Sequence, residues 1–225
     1  MIPFEGQKSV GPPHILSRKD LIRVILRLQF EGWQSALHLD PALKADQDEP
    51  YMNGRLYQGM VRVRTAMGLT NIFIMEKPGV RPDPDPALPE GEPDVIVLFA
   101  EFGANEPHAV IECKRVDPLE NPKQLRGKYV RCGMDRFIKG LYGPGHDIDF
   151  MVAYLLGGDE PAALMDINIY LQNVSRPADS LHATMNLNNI GFVAYSDHVR
   201  IVDECHFRLL HSFLVFPVDK PQKAF

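Results

Sequence analysis

Three charged residues, Asp94, Glu112 and Lys114, stand in runs otherwise suited to a hydrophobic interior. Asp94 follows Pro93 at the head of DVIVLFA, and Glu112 and Lys114 interrupt the strand-like run AVIECKRV, residues 109–116. Successive side chains of a strand alternate between the two faces of a sheet, so Glu112 and Lys114 share one face while Ile111 and Cys113 share the other. Charges on so apolar a strand need an ion, an opposite charge or a polar cleft to compensate their lost hydration. A Glu–Lys pair on an edge strand facing water would satisfy that need without any chemistry. The preceding strand changes the reading, because its short connection to IECKR lets Asp94 approach Glu112 across adjacent strands. Two converging carboxylates are oxygen ligands of the kind that Mg²⁺ takes together with water and substrate phosphate. Such an ion lowers the pKa of a bound water and neutralises charge on a phosphate, while Lys114 can orient that water or stabilise the transition state. Those are the requirements of phosphodiester hydrolysis.

The elements that must position these residues follow from periodicity. Ser17 caps an amphipathic helix in which Leu21, Ile25, Leu28 and Leu37 recur at helical spacing. Residues 40–50 read as a polar loop, and Tyr51 to Gly68 as a second helix ending at a glycine. Residues 71–75 form a first strand, and the proline-rich acidic run 78–93 an exposed loop. The strands 94–100 and 109–116 are joined by a loop containing Gly103 and Asn105, and a helix follows from about Pro122 to Lys139. A strand over 149–156, a helix from Glu160 through about Leu171, and three short strands near 191–195, 199–202 and 207–215 complete the chain.

Composition bounds the function classes. The 225 residues are 45% hydrophobic and 24% charged, the balance of a folded globular domain rather than a disordered one. Apolar runs are far shorter than the ~20 residues of a membrane span, and the first residues lack a secretory h-region, so a cytoplasmic location without membrane contact is expected. Cys113, Cys132 and Cys205 form no CxxC pair and are expected to be reduced and mostly buried. His198, His206 and His211 lack zinc-site spacing and are expected to be structural. The net charge of −5 argues against a surface that grips nucleic acid everywhere, yet residues 114–139 carry eight basic residues against three acidic ones. The stretch 76–106 is the reverse, acidic and rich in proline.

In this order the residues resemble the motif of the PD-(D/E)XK nucleases: a Pro-Asp pair, a spacer, then Asp or Glu, any residue and Lys. Here it reads Pro93-Asp94 and Glu112-Cys113-Lys114. Tyr129 to Gly157 resembles the stretch after the active site in bacterial restriction-like nucleases associated with phage defence, and Tyr195 to Phe216 resembles their terminal strands. The likeness spans roughly residues 49–216. It implies an α/β fold with a restriction endonuclease-like core, a central mixed β-sheet flanked by helices in the order α-β-β-β-α-β. A single domain over 1–225 is expected, with residues 1–16 as a flexible N-terminal segment. The resemblance further implies catalysis by Asp94, Glu112 and Lys114, with Mg²⁺ or Mn²⁺ held by Asp94, Glu112 and Cys113. An upstream acid usually joins such a site. Glu49 is the preferred match, with Asp48 and Glu76 as alternates, though a helix N-terminal acid favoured by the macrodipole accounts for Glu49 equally well.

Along the helix after the motif, Gln124, Lys128, Arg131 and Arg136 can share one broad face and track a phosphate backbone; Gln124 and Tyr129 loosely resemble a Gln and Tyr found there in related nucleases. DNA is the implied substrate, phage or foreign DNA the implied target, and a defence-system protein an implied partner. Cutting both strands needs two sites of opposite polarity, which a homodimer would supply. The alternative is a catalytically silent nuclease fold serving as a DNA-binding or assembly subunit. The long acidic loop before Asp94 departs from the family pattern.

Overall fold

The computed structural model describes residues 18–76, 93–99, 109–119, 122–142, 145–184 and 190–217. The expectations for residues 1–16, for the acidic loop apart from Pro93, and for the turn at Gly103 and Asn105 lie outside these. The chain is an α/β protein built on one seven-stranded mixed sheet. Its strands are β1 (Ile72–Glu76), β2 (Val95–Phe99), β3 (Ala109–Val116), β4 (Ile148–Leu155), β5 (His182–Ala183), β6 (Val193–Val199) and β7 (His206–Val215), ordered β1-β2-β3-β4-β7-β6-β5. β3, β4 and β7 run parallel at the centre, and the flanking pairs are antiparallel. Central parallel strands are covered on both faces, which explains why β3 and β4 read as nearly unbroken apolar runs.

One face is covered by α1 (Arg18–Leu39) and α2 (Glu49–Ala66), which pack on Ile111, Cys113, Phe150, Val152 and Tyr154. These two helices cross in backbone contact, since a Cβ on Gly59 would collide with the Gly32 carbonyl and one on Gly32 would lie 2.8 Å from the Met60 nitrogen. The Trp33 indole donates to the Val215 carbonyl at 2.9 Å and its ring meets Tyr154, tying α1 to the sheet. The other face is covered by α5 (Glu160–Asn173) and by one helical rod made of α3 (Pro122–Tyr129), a π-turn (Val130–Met134) and α4 (Asp135–Ile138). No helix among the described residues is long and apolar enough to cross a membrane.

Several boundaries differ from expectation for identifiable reasons. α2 starts at Glu49 rather than Tyr51, because Asp48 caps it by accepting from the Tyr51 amide and Pro50 suits the first turn. The run 199–202 is no separate strand: Val199 ends β6, and the residues after it form the turn into β7. The short β5 carried no pattern long enough to read. Of the cysteines, all free, only Cys113 is buried, whereas Cys132 and Cys205 are exposed. They occupy a helix surface and a turn, not core strands.

The expectation for the histidines holds for His198 and His211, which lie in a buried chain of hydrogen bonds, while His206 is exposed on β7. Tyr129 Oη meets His211 Nδ1 at 2.8 Å, His211 Nε2 meets Ser196 Oγ at 2.8 Å, Ser196 Oγ meets His198 Nε2 at 2.6 Å, and His198 Nδ1 meets Asp179 Oδ1 at 3.0 Å. Ser196, His198 and Asp179 thus share the connectivity of a hydrolytic triad. Ser196 is fully buried and already bonded on its other side to His211, so the chain pins the helical rod to β6 and β7 instead.

Burial, aided by His198, lowers His211 to about 3 from its ordinary 6.5, so the ring is neutral in the fold. The unfolded chain takes up that proton below about 6.5 and the folded chain does not. The contribution of His211 is therefore complete above that pH and lost as pH falls toward 3, by up to about 1.4 kcal/mol per pH unit. Urea midpoints measured from pH 7 to 4 should fall more steeply for wild type than for His211→Gln; parallel curves would contradict this account.

Candidate active site

The site is built where the sheet is interrupted. β2 pairs with β3 through Val95↔Ile111, so continuing the antiparallel register sets Asp94 opposite Glu112. β2 begins only at Val95, which leaves the edge of β3 beyond Ile111 without a strand partner on that side among the described residues. Alternate amides on such an edge must find other acceptors. Two of the candidate acids provide them. The Cys113 amide donates to Asp94 Oδ2 at 2.8 Å, and the Arg115 amide donates to Glu49 Oε2 at 3.3 Å. Arg115 also donates through Nη1 to the Gln47 carbonyl, holding the chain that leads into α2.

Lys114 stands at the centre. Its Nζ lies 2.8 Å from Glu49 Oε1, 2.8 Å from Glu112 Oε1 and 2.7 Å from the Cys113 carbonyl oxygen, with Asp94 Oδ2 at 3.8 Å. An ammonium has three donors, and the three short contacts use them all. Arg136, reaching in from α4, donates through Nη1 to Glu112 Oε1 at 2.9 Å and to the Tyr142 hydroxyl at 2.5 Å. Side-chain exposure rises from 0% at Glu112 through 9% at Lys114 and 13% at Asp94 to 28% at Glu49 and 38% at Arg136. The cluster therefore opens to solvent on the side of Glu49 and Arg136, with Glu112 at its floor.

Electrostatics follow from depth. Burial, reinforced by the neighbouring Asp94 and opposed by Lys114, pushes Glu112 up to about 7. Burial also raises Asp94, against the pull of Lys114. Burial would lower Lys114, but Glu112, Glu49 and Asp94 together hold it well above its usual range. One ammonium shared by three acids stays charged, and the deepest acid bears the cost of burial. Three carboxylates against two cations in direct contact leave a negative surplus. Glu112 Oε2 is buried and accepts no hydrogen bond from the described residues.

The structure brings together Asp94, Glu112, Lys114, Glu49, Arg136 and the Cys113 carbonyl. The Cys113 thiol is buried with the opposite face, so any ligand from that residue is its backbone oxygen. Asp48 is taken up by its cap, and Glu76 points toward Gly54 of α2. Gln124 and Lys128 are exposed on α3. Arg131 is not in the cluster: it donates to the Tyr170 hydroxyl of α5. Tyr129 is a core residue on the His211 chain. The sequence reading missed two contributors. Tyr142, which orients Arg136, carried no signal; Gly133 could have been noticed as a glycine inside a helical pattern. A Cβ there would meet the end of the Met151 side chain, which would have to shift, and would sit 3.4 Å from Lys114 Cγ, so the glycine leaves room for the π-turn, Met151 and the lysine stem together.

The donors fit a hard divalent cation in chemistry, being two carboxylates and a carbonyl with one carboxylate oxygen unpartnered. Among the described residues no three His, Cys, Asp or Glu side chains already form a metal-ready group. The carboxylates are gathered around an ammonium.

A carboxyl raised to about 7 binds its proton in the fold at a pH where the unfolded chain, at the ordinary 4.5, has lost it. Its contribution is fully present below about 4.5 and disappears as pH rises through about 7. Wild type should therefore gain stability relative to Glu112→Gln as pH is lowered from 7.5 to 4.5, read from urea midpoints. A pH-independent difference would refute the shift. No family model matches the chain, and neither the curated proteins nor the solved structures provide a significant match.

Proposed function

We propose that this chain is a metal-dependent endonuclease of the PD-(D/E)XK type that hydrolyses DNA phosphodiester bonds with Mg²⁺ or Mn²⁺. The observation that carries the reading is the meeting of Asp94, Glu112, the Cys113 carbonyl and Lys114 at the interrupted edge of β3. The element order from α2 through β4, α-β-β-β-α-β on a mixed sheet, agrees with the core that the motif implies. Asp94, Glu112 and the Cys113 carbonyl would hold the ion, which when bound supplies Lewis acidity and a water of lowered pKa. Lys114 orients the attacking water and meets charge developing on the phosphate; Arg136, half-exposed at the mouth, meets the same charge from the other side. Glu49 holds Lys114 in position. Gln124 and Lys128, exposed on α3, contact the backbone of the bound strand. Defence against phage or foreign DNA in the cytoplasm, with a partner protein or a second copy of the chain, is the setting this reading entails.

The second reading, a catalytically silent DNA-binding or assembly subunit, draws on one observation: Lys114 and Arg136 already pair with the acids, so the cluster is held together without a metal. Cleavage of supercoiled, linear and single-stranded DNA with Mg²⁺, Mn²⁺ or EDTA separates the two. The nuclease reading expects metal-dependent cutting that drops by about 10³-fold in Asp94→Ala and in Lys114→Ala. Binding of DNA without cutting under every condition favours the silent subunit. Lys128→Ala is expected to weaken DNA binding and lower the slope of log affinity against log salt by about one; an unchanged slope would remove Lys128 from the interface.

A further inference from the structure

We propose that Lys114 is the site's internal counter-ion, competing with the divalent cation for the same three groups, and that Glu49 is the carboxylate that keeps Lys114 when the cation binds. The inference rests on the reading of Asp94, Glu112 and the Cys113 carbonyl as the metal-binding groups. The Lys114 ammonium lies against all three, at 3.8 Å, 2.8 Å and 2.7 Å. A cation entering there meets a buried charge of its own sign, and repulsion at such distances inside a protein is strong. The ammonium occupies the space between these groups and spends its three donors on Glu49, Glu112 and the Cys113 carbonyl, so a cation gains Glu112 and that carbonyl only as the lysine moves.

Glu49 provides the place. Both its oxygens are already committed, Oε1 to Lys114 Nζ and Oε2 to the Arg115 amide, which anchors the carboxylate to β3. Glu49 is also the most exposed of the three acids, so it lies toward the mouth while Glu112 lies at the floor. A small displacement of the Lys114 stem toward Glu49 frees Glu112 and the Cys113 carbonyl without breaking the Lys114–Glu49 pair. The buried and unpartnered Glu112 Oε2 is an independent sign that the floor of the cluster has a vacant acceptor. Glu49 is on this account a positioning residue for Lys114 and not a ligand.

The test is Mn²⁺ affinity, by calorimetry and by the electron-spin resonance of free Mn²⁺, in a double-mutant cycle with no DNA present. Lys114→Met keeps the stem beneath Gly133 and removes the charge; it is expected to bind Mn²⁺ more tightly than wild type by about tenfold or more. Glu49→Gln is expected to weaken binding by about tenfold while Lys114 is present, and by less than about threefold in the Lys114→Met background. Wild-type affinity that Lys114→Met does not improve would overturn the competition while leaving the metal site standing. An equal loss from Glu49→Gln in both backgrounds would make Glu49 a ligand and overturn its positioning role. Absence of binding by every folded form would overturn both this inference and the metal site beneath it. If Lys114→Met does not fold, as judged by circular dichroism, wild type with ¹⁵Nζ-labelled lysine serves in its place. Mg²⁺ should move the Lys114 resonance while it stays protected from exchange, and a resonance unmoved by Mg²⁺ that shifts the Asp94 and Glu112 carboxyl signals would overturn the proposal.

Discussion

A positive charge held almost out of water at the interrupted edge of β3 governs the layout around Lys114. Transfer of an ammonium into such a place is costly unless its donors are all met and its charge is balanced. Glu112, Glu49 and the Cys113 carbonyl meet the donors, and Asp94 adds charge from slightly farther away. The balance overshoots, with more acid than one lysine can neutralise. Arg136 takes part of the excess, Tyr142 holds Arg136 in place, and Glu112, the deepest of the acids, is pushed up to about 7 by its burial and then by Asp94.

The same cluster solves a backbone problem. A strand edge that loses its neighbour presents amides that must bond to something. β3 loses β2 at Val95, and the acids that surround the lysine are the acceptors that replace the missing strand. Asp94 and Glu49 are thus fixed by main-chain donors on one side and attracted by Lys114 on the other. Carboxylates restrained in this way have little rotamer freedom left, which is the property a pre-organised site requires.

Tight backbone packing carries this arrangement to the rest of the molecule. Gly133 lets the π-turn approach Lys114 and Met151, and Gly32 and Gly59 let α1 and α2 cross in contact, which sets where Glu49 projects at the start of α2. One turn before Gly133 on the same rod, Tyr129 is bonded into the chain of His211, Ser196, His198 and Asp179. The rod that bears Arg136 is therefore held by the site near its C-terminal end and by a buried polar chain at its middle. Fully satisfied buried networks of this kind specify one packing geometry over its neighbours.

Much of this was determined by local pattern. The alternation in AVIECKRV put Glu112 and Lys114 on one face, the paired runs around Asp94 brought it opposite Glu112, and helical and strand periods located α1, α2, the rod, β4 and α5 to within a few residues. Those features depend on neighbours in the chain, and periods of 2 and 3.6 record them directly. The tertiary structure alone decided the rest. Glu49, not Asp48 or Glu76, reaches Lys114, because a cap at Asp48 and a broken strand edge 66 residues away from Glu49 settle the choice. Arg136 turns inward to Glu112 while Arg131 turns to Tyr170 of α5, because five residues of helix point the two side chains to different sides of the rod. Tyr142, the His198–Ser196–His211 chain and the exposed cysteines are likewise facts of long-range packing. Contacts between residues distant in sequence leave no period to read, and only the folded chain assigns them partners.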